Sequence, residues 1–264
     1  NRALEVVAYN EANEGREVVH AIDFDGEIYM RQEGKGMLVG TYERAGKPWS
    51  PKQTPWDFGH ELLQPDIDRI APSLEVGFQH FPAFQNAGIK QIINGPFTFA
   101  PDGNPLVGPA PGLRNMWLAE GFSFGITAAG GTGYYLAQMM VDGEAEIDMA
   151  SLDPKRYGQE WMTTEYAARK NEECYEHVYI LHHPDEEREA CRPLRTAPCY
   201  DRMKAHGAQF GCVNGFERPN YFGPVDAPED FDHQARSFRR GGWWQYAKAE
   251  AEAVRNGVGM IDAS

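Results

Sequence analysis

Cysteine is scarce in this chain, and the few cysteines present show no pairing pattern. Cys174, Cys191, Cys199 and Cys212 are the only four, and none of them forms a C-x-x-C pair. Four scattered cysteines in a chain of 264 residues do not make a disulfide framework. A reducing compartment is therefore the better expectation.

Long apolar runs and an excess of positive charge are also missing. No run of about 18 apolar residues occurs, so no transmembrane helix is predicted. Lysine and arginine number 25 against 39 acidic residues, a net charge of -14. Nucleic acid is not expected as a partner, because phosphate binding needs clustered basic residues. His177, His182 and His183 have no cysteine or carboxylate at ligand spacing, and no metal site is predicted.

A dinucleotide-binding glycine motif is absent as well. The nearest approach, Gly131-Thr132-Gly133, lacks a third glycine and lies within a predicted helix instead of before it. The chain nevertheless has the means to bury a core, since 42% of its residues are hydrophobic and 12% are aromatic. The N-terminus carries neither an initiator Met nor a signal-peptide pattern, and both ends are interpreted as cuts through a longer protein.

The first half of the chain predicts a hairpin followed by a helix. Residues 27–32 alternate, with Ile28 and Met30 on one face and Tyr29 and Arg31 on the other. Glycines at 34 and 36 supply a turn, and residues 37–42 form the returning strand. Apolar residues from Ile67 to Phe81 recur at intervals of three or four, which predicts a helix capped by Asp66, with Pro72 bending or restricting its start.

A strand, a glycine loop and a helix form the strongest local pattern. The predicted strand 116–120 leads into Gly121-Phe122-Ser123-Phe124-Gly125, and a helix follows from about Ile126 to Val141. Free N–H groups at a helix start suit a phosphate or the electron-rich edge of a reduced flavin. Close packing of a helix on a sheet explains these glycines equally well, so the residues alone leave both readings open.

The second half predicts a linker at 144–158, a helix from Thr163 to about Leu181, and a strand at 209–213 followed by aromatic loops. A last helix is predicted at about 246–255.

Several motifs, in order along nearly the whole chain, resemble the dimethylglycine and sarcosine dehydrogenases. They are Asp25–Glu33, Met37–Glu43, Asn94–Gly108, Ala119–Ile126, Leu152–Gly158, Arg192–Thr196, Gly215–Phe222 and Ser237–Arg240.

The resemblance implies an α+β, mixed fold in three parts. Residues 1–146 are expected to be the C-terminal part of a D-amino-acid-oxidase-like flavin domain. Residues 147–205 are expected to be a small central domain, and residues 206–264 the start of an aminomethyltransferase-like folate domain. The family's nucleotide-binding motif and active-site histidine have no counterpart here, so the chain alone is expected neither to hold FAD well nor to oxidise an amine.

The resemblance also implies a chemistry and a set of site residues. The family uses FAD to oxidise an N-methyl group to an iminium, and water or tetrahydrofolate takes the one-carbon unit. Reduced flavin passes its electrons to an electron-transfer flavoprotein or to oxygen. Tyr29 matches the family's active-site tyrosine, and Gly121, Phe122, Ser123, Phe124, Gly125 and Ile126 match the flavin-contacting loop and helix start. Arg31 is a further candidate, as partner of the substrate carboxylate.

Two other classes of function stay open from sequence. The chain could belong to a one-carbon transferase or folate-binding module whose flavin-like half is a non-catalytic scaffold, or to an inactive structural paralogue.

Overall fold

The computed structural model describes residues 2–5, 16, 18–34, 36–44, 46–158, 163–184, 186–213, 215–226 and 237–259. The chain divides into two compact units, Asn1–Ile180 and Leu181–Ser264.

The first unit contains a five-stranded antiparallel sheet in the order β2-β3-β4-β1-β5. Its strands are β1 (Arg2–Glu5), β2 (Ala21–Asp23), β3 (Ile28–Glu33), β4 (Gly36–Thr41) and β5 (Ile89–Ile92). The predicted hairpin is β3 and β4, which pair in register from Ile28 opposite Thr41 to Glu33 opposite Gly36.

Helix α1 (Ile67–His80) covers one face of this sheet. It begins as predicted at Asp66, whose Oδ1 accepts a hydrogen bond from Arg69 N at 3.3 Å, and Pro72 lies within it. Its approach to β3 is close at Gly77, where a Cβ would lie 2.5 Å from Ile28 Cδ1. The buried side chains of this core come from both layers: Ile28, Met30, Met37, Val39, Leu74 and Phe84.

A second lobe of the first unit carries the glycine loop. Strands β6 (Leu106–Pro109) and β7 (Trp117–Glu120) pair antiparallel, and helix α2 (Gly125–Asp142) follows β7. Gly143 ends the helix in the left-handed region with φ 89°, the role that glycine fills without steric cost. Val107, Leu136 and Met149 form the buried centre of this lobe.

Helix α3 (Thr164–Glu176) closes the first unit and is shorter than predicted. It starts where predicted, with Thr163 as the cap residue whose hydroxyl accepts from Tyr166 N at 3.1 Å. The extension to Leu181 was wrong. The His177 imidazole Nδ1 lies 2.7 Å from the Glu173 carbonyl oxygen at the helix end, and Tyr179 then packs against aromatic side chains of the sheet.

The second unit contains helix α4 (Tyr200–Ala205), a β-hairpin and helix α5 (Trp244–Asn256). The hairpin joins β8 (Ala208–Val213) and β9 (Phe216–Phe222). The prediction of aromatic loops after 213 was wrong, because residues 216–222 form β9 even though Pro219 lies inside it. A register irregularity between Gln209 and Phe210, opposite this part of β9, accommodates the proline.

An arginine–glutamate pair fastens the hairpin to the chain before it. Arg192 donates from Nε to Glu217 Oε1 at 2.9 Å and from Nη2 to Glu217 Oε2 at 2.6 Å. The hydrogen bonds to Glu217 raise the pKa of Arg192 despite its burial. Glu217 is 3% exposed, so this buried carboxylate depends on its bidentate partner.

Candidate active site

Tyr29 lies on the face of the sheet opposite α1. Ile28 and Met30 are buried against the helix, so the alternation of β3 turns Tyr29 and Arg31 to the other side. The ring of Tyr29 lies across its cross-strand partner Gly40. A Cβ at Gly40 would lie 2.1 Å from Tyr29 Cζ, so any side chain there would have to displace the ring. The glycine thus fixes where the phenol ring rests on the sheet.

Other aromatic rings surround Tyr29 on this face. Tyr42 follows β4, with its ring centroid 6.1 Å from that of Tyr29. Tyr179, from the segment after α3, lies 5.8 Å from Tyr29 and 4.6 Å from Tyr42, edge to face with both. Edge-to-face pairs at these distances are favourable and directional. Tyr42 and Tyr179 are 7% and 8% exposed, so the two form a buried wall at one end of the Tyr29 ring.

Tyr175 anchors α3 to the same end of the sheet. Its hydroxyl donates to Glu43 Oε2 at 2.7 Å, and Thr41 Oγ1 donates to the same oxygen at 3.0 Å. Arg69 Nε, from α1, lies 3.0 Å from Glu43 Oε1 as an ionic contact outside hydrogen-bond geometry. Glu43 is 4% exposed. Burial, together with the hydrogen bond to Glu43, raises the pKa of Tyr175 well above its usual range, so its phenol stays a donor.

Arg31 is engaged with a carboxylate of its own strand. Its Nη1 lies 2.5 Å from Glu33 Oε2 and donates to the Gln32 carbonyl at 3.2 Å. Both side chains are about half exposed, where an ion pair contributes little stability. The arginine shares the Tyr29 face, and it would have to leave Glu33 to hold a substrate carboxylate.

The structure separates the residues of the glycine loop into two groups. Gly121 is buried with φ 74°, and a Cβ there would contact Ala100 Cβ at 3.6 Å. Phe122 packs against the centre of the second lobe. These two residues hold the turn in place, and Ser123 beside them is half-buried. By contrast, Phe124 is 50% exposed and Ile126 is 98% exposed.

The start of α2 offers donors and space for a flat ligand. Phe124 is the N-cap residue and makes no side-chain cap hydrogen bond. The first N–H groups of a helix have no partner within the helix. Gly125 and the glycines at 130, 131 and 133 have no tight neighbour, since a Cβ at the last three would meet nothing within 4 Å. The space beside the start of α2 is therefore open enough for a flat ring, and flavin contact by this loop stays a prediction.

The described residues contain a polar groove of about 280 Å³ on the α1 side of the sheet. It is lined by Asp25, Gly26, Glu27, Glu43, Arg44, Arg69, Pro72, Ser73 and Val76. Arg44 Nε donates to the buried carboxylate of Glu27 at 2.7 Å, so the charges of the groove are largely paired within it.

Asp23, Asp25 and His80 bring their ligand-type atoms within 4.8 Å of one another. His80 Nδ1 lies 2.6 Å from Asp23 Oδ2. Asp23 Oδ1 also accepts from the backbone N–H groups of Asp25 and Gly26. These contacts account for the cluster as a tie between α1 and the turn after β2.

Arg156 joins the stretch after α2 to the turn before β6. It donates to both carboxylate oxygens of Asp102, from Nε at 2.8 Å and from Nη2 at 3.0 Å, and to the Asn104 carbonyl at 2.8 Å. Burial alone would raise the pKa of Asp102, but the hydrogen bonds from Arg156 outweigh it and lower that pKa.

Three family descriptions match successive parts of the chain. The FAD dependent oxidoreductase family matches residues 4–139, and its central domain matches residues 142–197. The GCVT N-terminal domain matches residues 199–264. The chain belongs to the FAD dependent oxidoreductase family. The order of the matches and the mixed fold confirm the predicted sequence of a flavin part, a central part and an aminomethyltransferase-like part.

Curated relatives match almost the whole chain. Dimethylglycine dehydrogenase from Mus musculus is 38% identical over 94% of this chain. Sarcosine dehydrogenase from Mus musculus is 32% identical over 80% of this chain. The pyruvate dehydrogenase phosphatase regulatory subunit from Mus musculus is 30% identical over 92% of this chain. The chain covers 29%, 23% and 28% of these relatives' lengths. The resemblance to dimethylglycine and sarcosine dehydrogenases is thus confirmed.

No helix in the described part of the chain is long and apolar enough to cross a membrane.

Proposed function

We propose that this chain forms the substrate side of the flavin domain in an enzyme that oxidises the N-methyl group of a small methylated glycine, dimethylglycine or sarcosine. The observation that carries the proposal is the placement of Tyr29. It lies on the sheet face that α1 leaves uncovered, held flat over Gly40, within a strand motif that resembles the demethylating dehydrogenases.

Tyr29 orients the substrate in this proposal. Its phenol donates a hydrogen bond to the substrate carboxylate, which holds the methylated nitrogen at a set distance from the sheet. Arg31 exchanges its ion pair with Glu33 for the same carboxylate, at small cost because that pair is half exposed. Holding the substrate in one orientation raises the rate of the chemical step, because the reacting carbon is kept in position for the reaction.

The exposed end of the glycine loop faces the flavin. Phe124, Gly125 and Ile126 present unpaired N–H groups of the start of α2 to the electron-rich edge of the ring, while Gly121, Phe122 and Ser123 hold the turn behind them. The chemistry that bound FAD would supply here is oxidation of the N-methyl carbon by hydride removal. The dipole of the 18-residue helix favours negative charge at its start, so α2 would stabilise the electron-rich ring.

The remaining assignments follow the same family. We propose domain boundaries near residues 146 and 205, tetrahydrofolate as acceptor of the one-carbon unit, and an electron-transfer flavoprotein or oxygen as electron acceptor. The proposed location is the mitochondrial matrix or a bacterial cytoplasm. The dimethylglycine and sarcosine dehydrogenases of Mus musculus are both named as mitochondrial.

A substrate panel tests the proposal. The full-length protein that contains this chain, loaded with FAD, is assayed with dimethylglycine, sarcosine and glycine, using a dye as electron acceptor and measuring formaldehyde with the demethylated product. Turnover is expected with dimethylglycine or sarcosine and formaldehyde should equal the acceptor reduced, whereas glycine, with no methyl group, stays inert. Turnover of glycine, or turnover of no methylated amine, would contradict the proposal.

A second candidate is a folate-binding or regulatory protein with a non-catalytic flavin-like scaffold. Two observations favour keeping it: the match of residues 199–264 to the GCVT N-terminal domain, and the relative named as a regulatory subunit. Measuring tetrahydrofolate binding and flavin absorbance in the same full-length protein distinguishes the two functions. Tetrahydrofolate binding without flavin absorbance supports the scaffold, and flavin that methylated glycine reduces supports the dehydrogenase.

A further inference from the structure

We infer that Tyr179, contributed by the central-domain segment, is a positioning residue that sets the orientation of Tyr29. The inference rests on the proposed function, because it concerns the same substrate face. It assigns to the segment matched by the central-domain family a part in the flavin domain's substrate site.

The geometry around Tyr29 leaves its ring few alternatives. On one side it rests on Gly40, at a separation that admits no Cβ. Beyond the end of the strand, Tyr42 and Tyr179 meet it at 6.1 Å and 5.8 Å, with Tyr179 at an interplanar angle of 76°. A ring held from beneath by backbone and from the end by an edge-to-face neighbour has one preferred orientation.

Tyr179 is itself held firmly. It is 8% exposed and lies edge to face against Tyr42 at 4.6 Å. One turn of chain earlier, Tyr175 is tied to the buried Glu43 by its hydroxyl and packs at Gly46, where a Cβ would lie 2.6 Å from its ring. This anchoring transmits the position of α3 to Tyr179, and through Tyr179 to Tyr29.

Tyr179 meets Tyr29 ring to ring at an interplanar angle of 76°, and burial raises the pKa of its phenol. The position therefore requires an aromatic ring and does not require a titrating hydroxyl. Tyr179→Phe should keep the function and Tyr179→Leu should lose it, although the two side chains have similar apolar character.

The test compares substrate-driven flavin reduction in the FAD-loaded full-length protein that contains this chain and in its variants, under anaerobic conditions. Tyr179→Ala and Tyr179→Leu are expected to lower the limiting reduction rate on the order of tenfold through misplacement of Tyr29, and Tyr179→Phe to restore it. The double variant Tyr29→Phe with Tyr179→Leu should be no slower than Tyr29→Phe alone, because both changes act through one hydroxyl. Tyr200→Ala, which removes a ring packed on Phe210 in the second unit, is the matched control and should keep the parent rate.

The outcomes separate the inference from the proposed function. A parent protein that no methylated glycine reduces would overturn the proposed function, and the inference with it. An active parent with unchanged rates in Tyr179→Leu, or with losses that multiply in the double variant, would overturn the inference alone. Tyr179→Leu keeps a large apolar side chain, so it decides the matter if Tyr179→Ala fails to fold.

Discussion

Substitution of Gly40 by alanine tests the placement of Tyr29 without touching the tyrosine. The added Cβ would lie 2.1 Å from Tyr29 Cζ and 2.3 Å from its hydroxyl oxygen. Since ordinary contacts begin near 3.4 Å, the ring must move by more than roughly 1 Å. Misplacement of a substrate-positioning group by about 1 Å costs on the order of a hundredfold in rate. We therefore expect flavin reduction by dimethylglycine to slow by about that factor.

The backbone itself should accept alanine at this position. Gly40 has no positive φ, and alanine is better than glycine inside a strand by about 0.5–1 kcal/mol. Flavin content should therefore equal that of the parent, and stopped-flow absorbance of the flavin reports the rate. Gly88→Ala is the matched control, because a Cβ there meets nothing within 4 Å. Parent-like reduction by Gly40→Ala would refute the idea that the ring must lie over Gly40 for activity.

Three further predictions concern Tyr29, the glycine loop and the ion pair of Arg156 with Asp102. Tyr29→Phe should leave FAD bound but slow its reduction roughly five- to hundredfold, the loss of one hydrogen bond of about 1–3 kcal/mol; an unchanged stopped-flow rate would remove Tyr29 from the site. Gly125→Val in the full-length protein should lower flavin content, because a branched side chain would occupy the open space at the start of α2 that the proposal gives to the flavin, and should leave folate binding intact; a normal flavin spectrum would contradict this. Arg156→Lys should reduce the free energy of unfolding in urea by about 1–2 kcal/mol at pH 7. Because the folded pKa of Asp102 is lowered, its contribution is complete above about pH 4 and is lost as the pH falls through the folded value. The Arg156→Lys deficit should therefore shrink on acidification, and a deficit independent of pH would contradict the assignment.

Local patterns in the sequence predicted much of the fold. The alternation of Ile28 and Met30 with Tyr29 and Arg31 is what the sheet shows, because one face of β3 is buried against α1. Helix α1 begins at Asp66 as predicted, and α2 ends at Asp142, one residue beyond the predicted Val141, since helix ends depend on a few neighbouring residues.

Features that depend on distant residues escaped the sequence. Tyr179 is far in the chain from Tyr29 and Tyr42, and no periodicity indicates that it meets them. Strand β9 was missed because Pro219 argues against a strand, and the register shift beside it is visible only once β9 is paired with β8. Gly40, opposite Tyr29, was the one local signal for the ring's position, since a glycine inside a strand marks a close approach.

The most direct test of the proposed function is anaerobic reduction of the bound flavin by dimethylglycine carrying either ordinary or deuterated N-methyl groups. We predict that the flavin absorbance bleaches in a single turnover and that deuteration of the methyl groups slows it, because the bond broken is the methyl C–H bond. Sarcosine should be the product after one methyl group is lost. A flavin that dimethylglycine and sarcosine both leave oxidised would contradict the proposal that this chain belongs to an N-demethylating enzyme.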